Sequence, residues 1–300
     1  MRAPATLINV MPALSRRALY ALATNARFES AVRSNRVTED LAYTAARRYV
    51  AGRTLDEALK TVQRLVDAGF SVSLDLFGEA NDEDGVQRVV AGYRDAAAAL
   101  QAVSGDVCLE IVPSNLGLDL GVDSCRRHVE QLLEVLPAGS RLEISAEEHW
   151  RTPAIMDLTL ALAEAGAPVL ATVQANLRRS SGDVDRLLAA QVPIRLVKGA
   201  YLEQTDVAYP WGEQTDTAYI RLAHQAGAAG GDVVVATHDP VIREALLAAL
   251  PSASVEMLLG VREDDARALI GRGVPVRIYA PYGEQWFRYW MRRVAEAQGG

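Results

Sequence analysis

The chain has 300 residues, of which 50% are apolar, 23% charged and 6% aromatic, a composition typical of a soluble globular protein with a large core. No apolar run approaches the roughly 20 residues that a transmembrane helix needs, so we expect no stable insertion into a membrane. The formal net charge of −7 and the lack of a dense Lys/Arg run argue against a nucleic-acid partner.

The first 66 residues predict a helical segment of two or three helices. Within it, the stretch SRRALYALATNARFE at 15–29 places two arginines before a short apolar run, a weak likeness to a twin-arginine export signal. The apolar run is short and ends in charged residues, so we predict a packing helix and a cytoplasmic protein.

A helix followed by a strand is predicted over residues 53–79. Thr54 and Glu57 have the spacing of a capping box, and Gly69 is placed to end the helix. A compact apolar run then begins near Ser71, which predicts a buried strand.

The same alternation of strand and helix continues to the end of the chain. The further predicted strands are VCLEIV, RLEIS, PVLATVQ, PIRLVKG, DVVVATH, SVEMLL and VPVRIYA. Two of the helices carry start signals, since Pro153 follows Thr152 and Pro240 follows Asp239, and the last helix is predicted from about Gly283. Strands that are continuous apolar runs between helices predict a parallel sheet covered on its faces.

Eight strands and eight helices, counted from Ser71, favour an α/β fold of the closed TIM-type (β/α)8 class. We predict a single domain over residues 1–300, with the helical segment at 1–66 and the barrel at 67–300. The alternative is an open doubly wound sheet. Its glycine-rich turn is missing after the first strand, where DLFGEAND stands.

In such a barrel the active site lies at the C-terminal ends of the strands, so the polar residues there are the candidates. They are Asp75, Glu79, Ser114, Asn115, Ser145, Glu147, Gln174, Arg195, Lys198, Tyr201, Thr237, His238, Glu256 and Tyr279. The four histidines and two cysteines are scattered without metal-ligand spacing, and we therefore predict no metal site.

The last predicted helix places an arginine on an aromatic face. Trp286, Tyr289, Trp290 and Arg293 recur at spacings of three and four. One interpretation is a structural pair between this arginine, or its neighbour, and the glutamate at 296. The other is a guanidinium fork that binds a carboxylate or phosphate.

Five segments together resemble the flavin-dependent proline dehydrogenases. They are VQANLRR at 173–179, IRLVKGAYLE at 194–203, ATHDP at 236–240, MLLGVR at 257–262 and RIYAPYGEQWFRYWMRRVAE at 277–296. The likeness runs from about residue 54 to the C-terminus. It implies a distorted (β/α)8 barrel with FAD across the strand ends, and oxidation of L-proline to pyrroline-5-carboxylate by hydride transfer to the flavin N5.

The resemblance also implies two sets of site residues. The flavin and its phosphates would contact Arg195, Val197, Lys198, Gly199 and Ala200, with Gln174 at the isoalloxazine ring and Thr237 and His238 at the ribityl or adenine end. The substrate carboxylate would be clamped by Arg292 and Arg293, oriented by Glu296, while Tyr279, Tyr289, Tyr201 and Leu258 would enclose the apolar ring.

The substrate pocket departs from the family at two positions. Val112 stands where relatives usually have a lysine, and Ser145 where they usually have an aspartate. Opposite charges that paired would be lost together, because either alone would be buried without a partner. Glu256 also stands where a glutamine is common. We therefore predict a pocket less cationic than usual.

Three alternatives to proline oxidation follow. They are oxidation of a proline derivative or of another cyclic or secondary amine, a non-catalytic flavin-binding role, and a flavin-free barrel enzyme that binds a phosphorylated substrate. For the electron acceptor, the resemblance implies a membrane quinone as one candidate. No basic amphipathic helix is evident, so peripheral membrane contact is the alternative to a purely cytoplasmic location.

Overall fold

The computed structural model describes residues 26–78 and 82–297, and its centre is a closed barrel of eight parallel strands. The strands are β1 Ser71–Leu76, β2 Val107–Ile111, β3 Arg141–Ile144, β4 Val169–Gln174, β5 Ile194–Val197, β6 Val233–Ala236, β7 Ser254–Leu258 and β8 Val276–Tyr282. They pair in chain order, and β8 closes the ring against β1. The predicted (β/α)8 barrel is confirmed.

Three described helices precede the barrel, and one α-helix follows each strand. The first three are α1 Ala26–Arg33, α2 Arg36–Ala46 and α3 Leu55–Asp67. The others are α4 Glu83–Ala99, α5 Val122–Leu133, α6 Thr152–Glu164, α7 Ser180–Ala189, α8 Glu213–Ala228, α9 Pro240–Ala249, α10 Glu263–Gly271 and α11 Trp286–Ala297. The arginine pair in the segment at 15–29 lies outside the described residues.

Three of the predicted helix signals act as expected. The Thr54 hydroxyl accepts a hydrogen bond from the Glu57 amide at 3.3 Å, and Gly69 ends α3 with φ of +89°. The Asp239 carboxylate caps α9 by accepting from the amides of residues 241 and 242.

The capping role predicted for Thr152 is wrong. Thr152 is the first residue of α6, and the N-cap is Arg151, which makes no side-chain cap. Arg151 instead forms ion pairs with Asp119, Glu147 and Glu148. These contacts come from the β2–α5 and β3–α6 loops, and a local spacing rule does not detect them.

The barrel interior is polar, while the outer face of the strands is apolar. Leu74, Leu109 and Leu142 are fully buried in the same hydrophobic core as helix residues such as Val62. Ser73 of β1 donates a hydrogen bond to Glu143 of β3 at 2.6 Å, and because these strands are not neighbours the bond crosses the interior. Successive side chains of each strand point alternately to the barrel interior and to the surrounding helices, and this separates the polar interior from the apolar core.

The last helix packs on the first two. Trp286 of α11 is fully buried, with its ring edge-on to Tyr43 of α2 at 5.2 Å, in a second core cluster that includes Val50. Arg288 of α11 pairs with Glu29 of α1 at 2.8 Å. The segment before the barrel therefore holds α11 in place.

We expect Trp286→Ala to lower the free energy of unfolding by about 3 to 5 kcal/mol, because it removes a large buried side chain that its neighbours cannot replace. Trp150→Ala is the matched control, since that ring is 58% exposed and stacks mainly on Arg151; it should cost no more than about 1 kcal/mol. Urea denaturation of both variants measures the difference, and equal losses would contradict the role given to Trp286.

Candidate active site

A cavity of about 800 Å³ opens at the C-terminal ends of the strands. The structure brings most of the sequence-predicted site residues together there. Its lining includes Ser145, Gln174, Arg195, Val197, Lys198, Gly199, Ala200, Tyr201, Thr237, His238, Leu258, Tyr279, Tyr289, Arg292 and Arg293. Residues from six strands and the last helix therefore meet in a single space.

Four of the strand-end candidates, Asp75, Ser114, Asn115 and Glu147, do not line the cavity. Val112 does not line the cavity, and its amide donates to the Tyr93 hydroxyl at 3.3 Å. Glu296 belongs to α11, but its side chain lies outside the described residues, as does Glu79. The ion pair predicted between Glu296 and an arginine of α11 therefore stays a prediction.

Several cavity residues were missed from the sequence. Glu110 on β2 and Thr172 on β4 line the cavity. So do Trp211, from the loop between β5 and α8, and Asp216, from the first turn of α8. Glu110 alternates with apolar residues in VCLEIV, and this was the available signal for an inward-facing polar residue. The long loop before Asp216 carried no comparable pattern.

The floor of the cavity is a single guanidinium surrounded by glutamates. Arg195 Nε lies 2.7 Å from Glu143 Oε1, Nη1 lies 3.5 Å from Glu110 Oε1, and Nη2 pairs closely with Glu256. The carboxylates converge as metal ligands would, but the Arg195 guanidinium lies among them. Ser145 donates a hydrogen bond to Glu110 and so contacts this cluster.

These carboxylates outnumber the cation that they share. Burial raises the pKa of Glu256 to about 7 and that of Glu110 well above its usual range, against the lowering effect of Arg195. Burial alone would lower the pKa of Arg195, but its three glutamates raise it, so the guanidinium stays charged. At neutral pH the cluster therefore retains protons on its carboxyl groups.

A fourth buried acid, Asp75, connects the cluster to the cavity wall. Its carboxylate accepts from the hydroxyl of Tyr279 at 2.6 Å and from that of Tyr93 at 3.4 Å. Burial raises the pKa of Asp75 to about 6, although both hydroxyls lower it. The bond to Asp75 fixes the Tyr279 ring, which lies above the Arg195 guanidinium at 5.8 Å.

Lys198 supplies a cation at the partly exposed side of the cavity. Its Nζ lies 2.6 Å from Asp216 and 3.3 Å from Asp239, residues that belong to the beginnings of α8 and α9. Two carboxylates hold the ammonium group between the ends of β5 and β6. An anionic ligand at this position would compete with them for the lysine.

His238 is held in its neutral form. Its Nε2 accepts a hydrogen bond from the Leu258 amide at 3.0 Å, so the ring proton is on Nδ1. Burial, together with the charge of Arg293, lowers the pKa of His238 to about 4. The residue is therefore a neutral donor beside the cavity.

The backbone after β5 requires a glycine. Gly199 has φ of +111°, and a Cβ there would lie 2.1 Å from the Asn176 side-chain oxygen. The glycine is therefore required both by its positive φ and by the Asn176 side chain, which occupies the space where a Cβ would lie.

The arginines of α11 form the opposite wall. Arg293 lies over the Tyr289 ring at 5.0 Å, and that ring packs against Phe77 at 5.1 Å and Tyr279 at 6.2 Å. Arg292 also lines the cavity. The wall combines two guanidinium groups with an aromatic surface, which suits a small ligand with a carboxylate and an apolar ring.

Comparison with known sequences gives consistent matches. A family model described as proline dehydrogenase matches residues 58–299. The proline dehydrogenase of Deinococcus radiodurans is 34% identical over 269 residues, covering 84% of this chain and 86% of its own length. Proline dehydrogenase 1 of Bacillus subtilis strain 168 is 31% identical over 260 residues, with the same coverage of each chain.

Among solved structures, proline utilization A of Bdellovibrio bacteriovorus, inactivated by N-propargylglycine, matches with a TM-score of 0.79 and 18% identity. The match covers 94% of this chain and 36% of that longer one. Proline utilization A of Bradyrhizobium japonicum matches with a TM-score of 0.73. At this identity the likeness shows the fold alone.

We expect Glu256→Gln to gain stability over the unmodified chain as the pH rises from 5 to 8. A folded-state pKa of about 7 against an ordinary 4.5 means that the native state keeps a proton that the unfolded state has lost, so stability falls with rising pH in this window. Glutamine removes the titration, and the relative gain should be about 1 to 3 kcal/mol.

Urea denaturation at both pH values measures this gain. Glu130→Gln is the matched control, since that carboxylate is about half exposed and pairs with Arg126 on the surface of α5. Parallel pH profiles for Glu256→Gln and the unmodified chain would contradict the prediction.

Proposed function

The chain belongs to the proline dehydrogenase family, and we propose on that basis that it oxidises L-proline to pyrroline-5-carboxylate with FAD as its cofactor. The observation that carries the proposal is the cavity itself. Two arginines and an aromatic wall on α11 lie opposite a glycine-bordered floor at the ends of β4 to β6. A cyclic amino acid and a planar cofactor fit these two sides.

The residues present fit a flavin dinucleotide. Gly199 contributes main chain to the cavity lining, and Lys198 offers a positive charge for a pyrophosphate. Neutral His238 offers a donor at Nδ1, and Gln174 is fixed because its side-chain amide donates to the Glu147 carbonyl at 2.7 Å. Arg195, Val197, Ala200 and Thr237 complete the proposed cofactor contacts.

FAD, when bound, supplies the acceptor for a hydride from the ring carbon next to the proline nitrogen. The chain's own residues bind and orient the substrate. We assign the carboxylate to Arg292 and Arg293, since paired guanidinium groups fix both position and orientation. Tyr201, Tyr279, Tyr289 and Leu258 would enclose the methylene groups and exclude water from the ring.

One observation favours a proline derivative as a second candidate substrate. The nearby cation Arg195 is occupied by three glutamates, and Ser145 donates a hydrogen bond to one of them, Glu110. The floor thus adds no net positive charge for a carboxylate, and this supports weaker binding of free proline than of an amide or ester.

For the electron acceptor we propose a quinone that approaches the rim of the barrel. In the described part of the chain, no helix has the length and apolar character needed to cross a bilayer. Large apolar side chains are nonetheless exposed on the loops after the strands and at the start of α9, including Trp150, Leu202 at 92%, Trp211 and Val241. An apolar rim beside the cavity supports peripheral contact with a membrane.

The first test is the visible spectrum of the purified, FAD-loaded protein before and after anaerobic addition of proline. We expect the flavin band to bleach. A flavoprotein that bleaches with proline amide or a proline ester but not with proline would favour the second candidate. A protein that binds no flavin would contradict the proposal.

The carboxylate clamp predicts that Arg293→Lys raises the KM for proline by about tenfold to a hundredfold, because lysine cannot form a planar two-point contact. Arg288→Lys is the control on the same helix, since Arg288 pairs with Glu29 and does not line the cavity. Steady-state kinetics of both variants decide the matter. An unchanged KM in Arg293→Lys would remove this residue from the clamp.

A further inference from the structure

The balance of charge beneath the cavity is unusual for a site that must accept electrons. Arg195 carries one positive charge, whereas Glu110, Glu143 and Glu256 around it can carry three negative charges. The second guanidinium near Glu256, that of Arg277, is already hydrogen-bonded to Asp106 at 2.6 Å. The floor is therefore negative overall when its acids are ionised.

This balance matters for the cofactor assigned above. Reduction adds negative charge to a flavin ring, so a nearby cation favours the reduced form and a nearby anion opposes it. Arg195 lines the cavity and would by itself favour reduction. Its three glutamates, all buried, oppose that effect to the extent that they are ionised.

We infer that Glu256, together with Glu110 and Glu143, acts through Arg195 to lower the reduction potential of the bound flavin. The glutamates are positioning residues, because they touch the guanidinium and not the reacting atoms. The inference rests on the proposed function, since it requires FAD in this cavity.

The ionisation of Glu256 makes the effect depend on pH. The groups that face it are the guanidiniums of Arg195 and Arg277, the carboxyls of Glu110 and Glu143, the Cys108 thiol and the Tyr219 hydroxyl. Burial raises the pKa of Glu256 to about 7, so the side chain is mainly neutral at pH 6 and mainly ionised at pH 8.5. Its influence on the flavin is therefore greater at the higher pH.

The test is a spectroelectrochemical titration of the FAD-loaded full chain, which needs no substrate. At pH 8.5, Glu256→Gln should favour reduction about tenfold relative to the unmodified protein, which is about 30 mV upward for a two-electron couple. At pH 6 the two potentials should nearly coincide. Glutamine has the shape of glutamate, so the variant should fold and bind flavin.

Two further variants make the result specific. Glu143→Gln removes the carboxylate that lies 2.7 Å from Arg195 Nε and should also raise the potential at pH 8.5, and it replaces Glu256→Gln if that variant loads poorly. Glu130→Gln removes an exposed carboxylate on α5 and should leave the potential unchanged at both pH values.

An unchanged potential in both cluster variants would overturn the inference. An equal shift of the potential at pH 6 and pH 8.5 in Glu256→Gln would also overturn it. Such a shift would come from altered packing around the flavin, because an effect of the Glu256 charge must grow as the glutamate ionises. A protein that binds FAD and shows the predicted shift, but is not bleached by proline or its derivatives, would refute only the proposed reaction. A chain that binds no flavin would refute both.

Discussion

The arrangement of side chains inside the barrel depends on one buried ion cluster, in which the Arg195 guanidinium is held by carboxylates from β2, β3 and β7. A guanidinium inside a barrel must be paired, because an isolated buried charge costs far more than the fold can supply. The pairing fixes the position of Arg195 and fills the interior of the barrel with polar contacts. Register shifts are opposed, since a shift of one residue would turn these side chains into the apolar layer.

The cavity has two walls with different origins. Its floor consists of strand residues whose positions are set by the barrel ladder, so Lys198 and Gly199 follow directly from the end of β5. The opposite wall is α11, whose position depends on the packing of Trp286 against Tyr43 and on the pair between Arg288 and Glu29. A rigid floor and a docked helix together define the space for the substrate.

The eight strands could be predicted because strands covered on both faces are uninterrupted apolar runs, and the repeat count then indicated the barrel. Most cavity residues followed from their place at strand ends and from the family likeness. The glutamate cluster could not be predicted, because Glu110 and Glu143, which are register partners on β2 and β3, reach Arg195 of β5 only across the barrel interior. Val112 was misplaced for a related reason: a short 3₁₀ turn begins immediately after it and moves it away from the cavity.

The docking of α11 on α1 joins parts of the chain 259 residues apart, from Glu29 to Arg288. Contacts of such separation form late, since the entropy of closing a long loop must be overcome before they stabilise anything. During synthesis the barrel strands emerge before the helix that carries Arg292 and Arg293. A nascent chain can therefore form the strands of the cavity floor before it has the helix whose arginines complete the opposite wall.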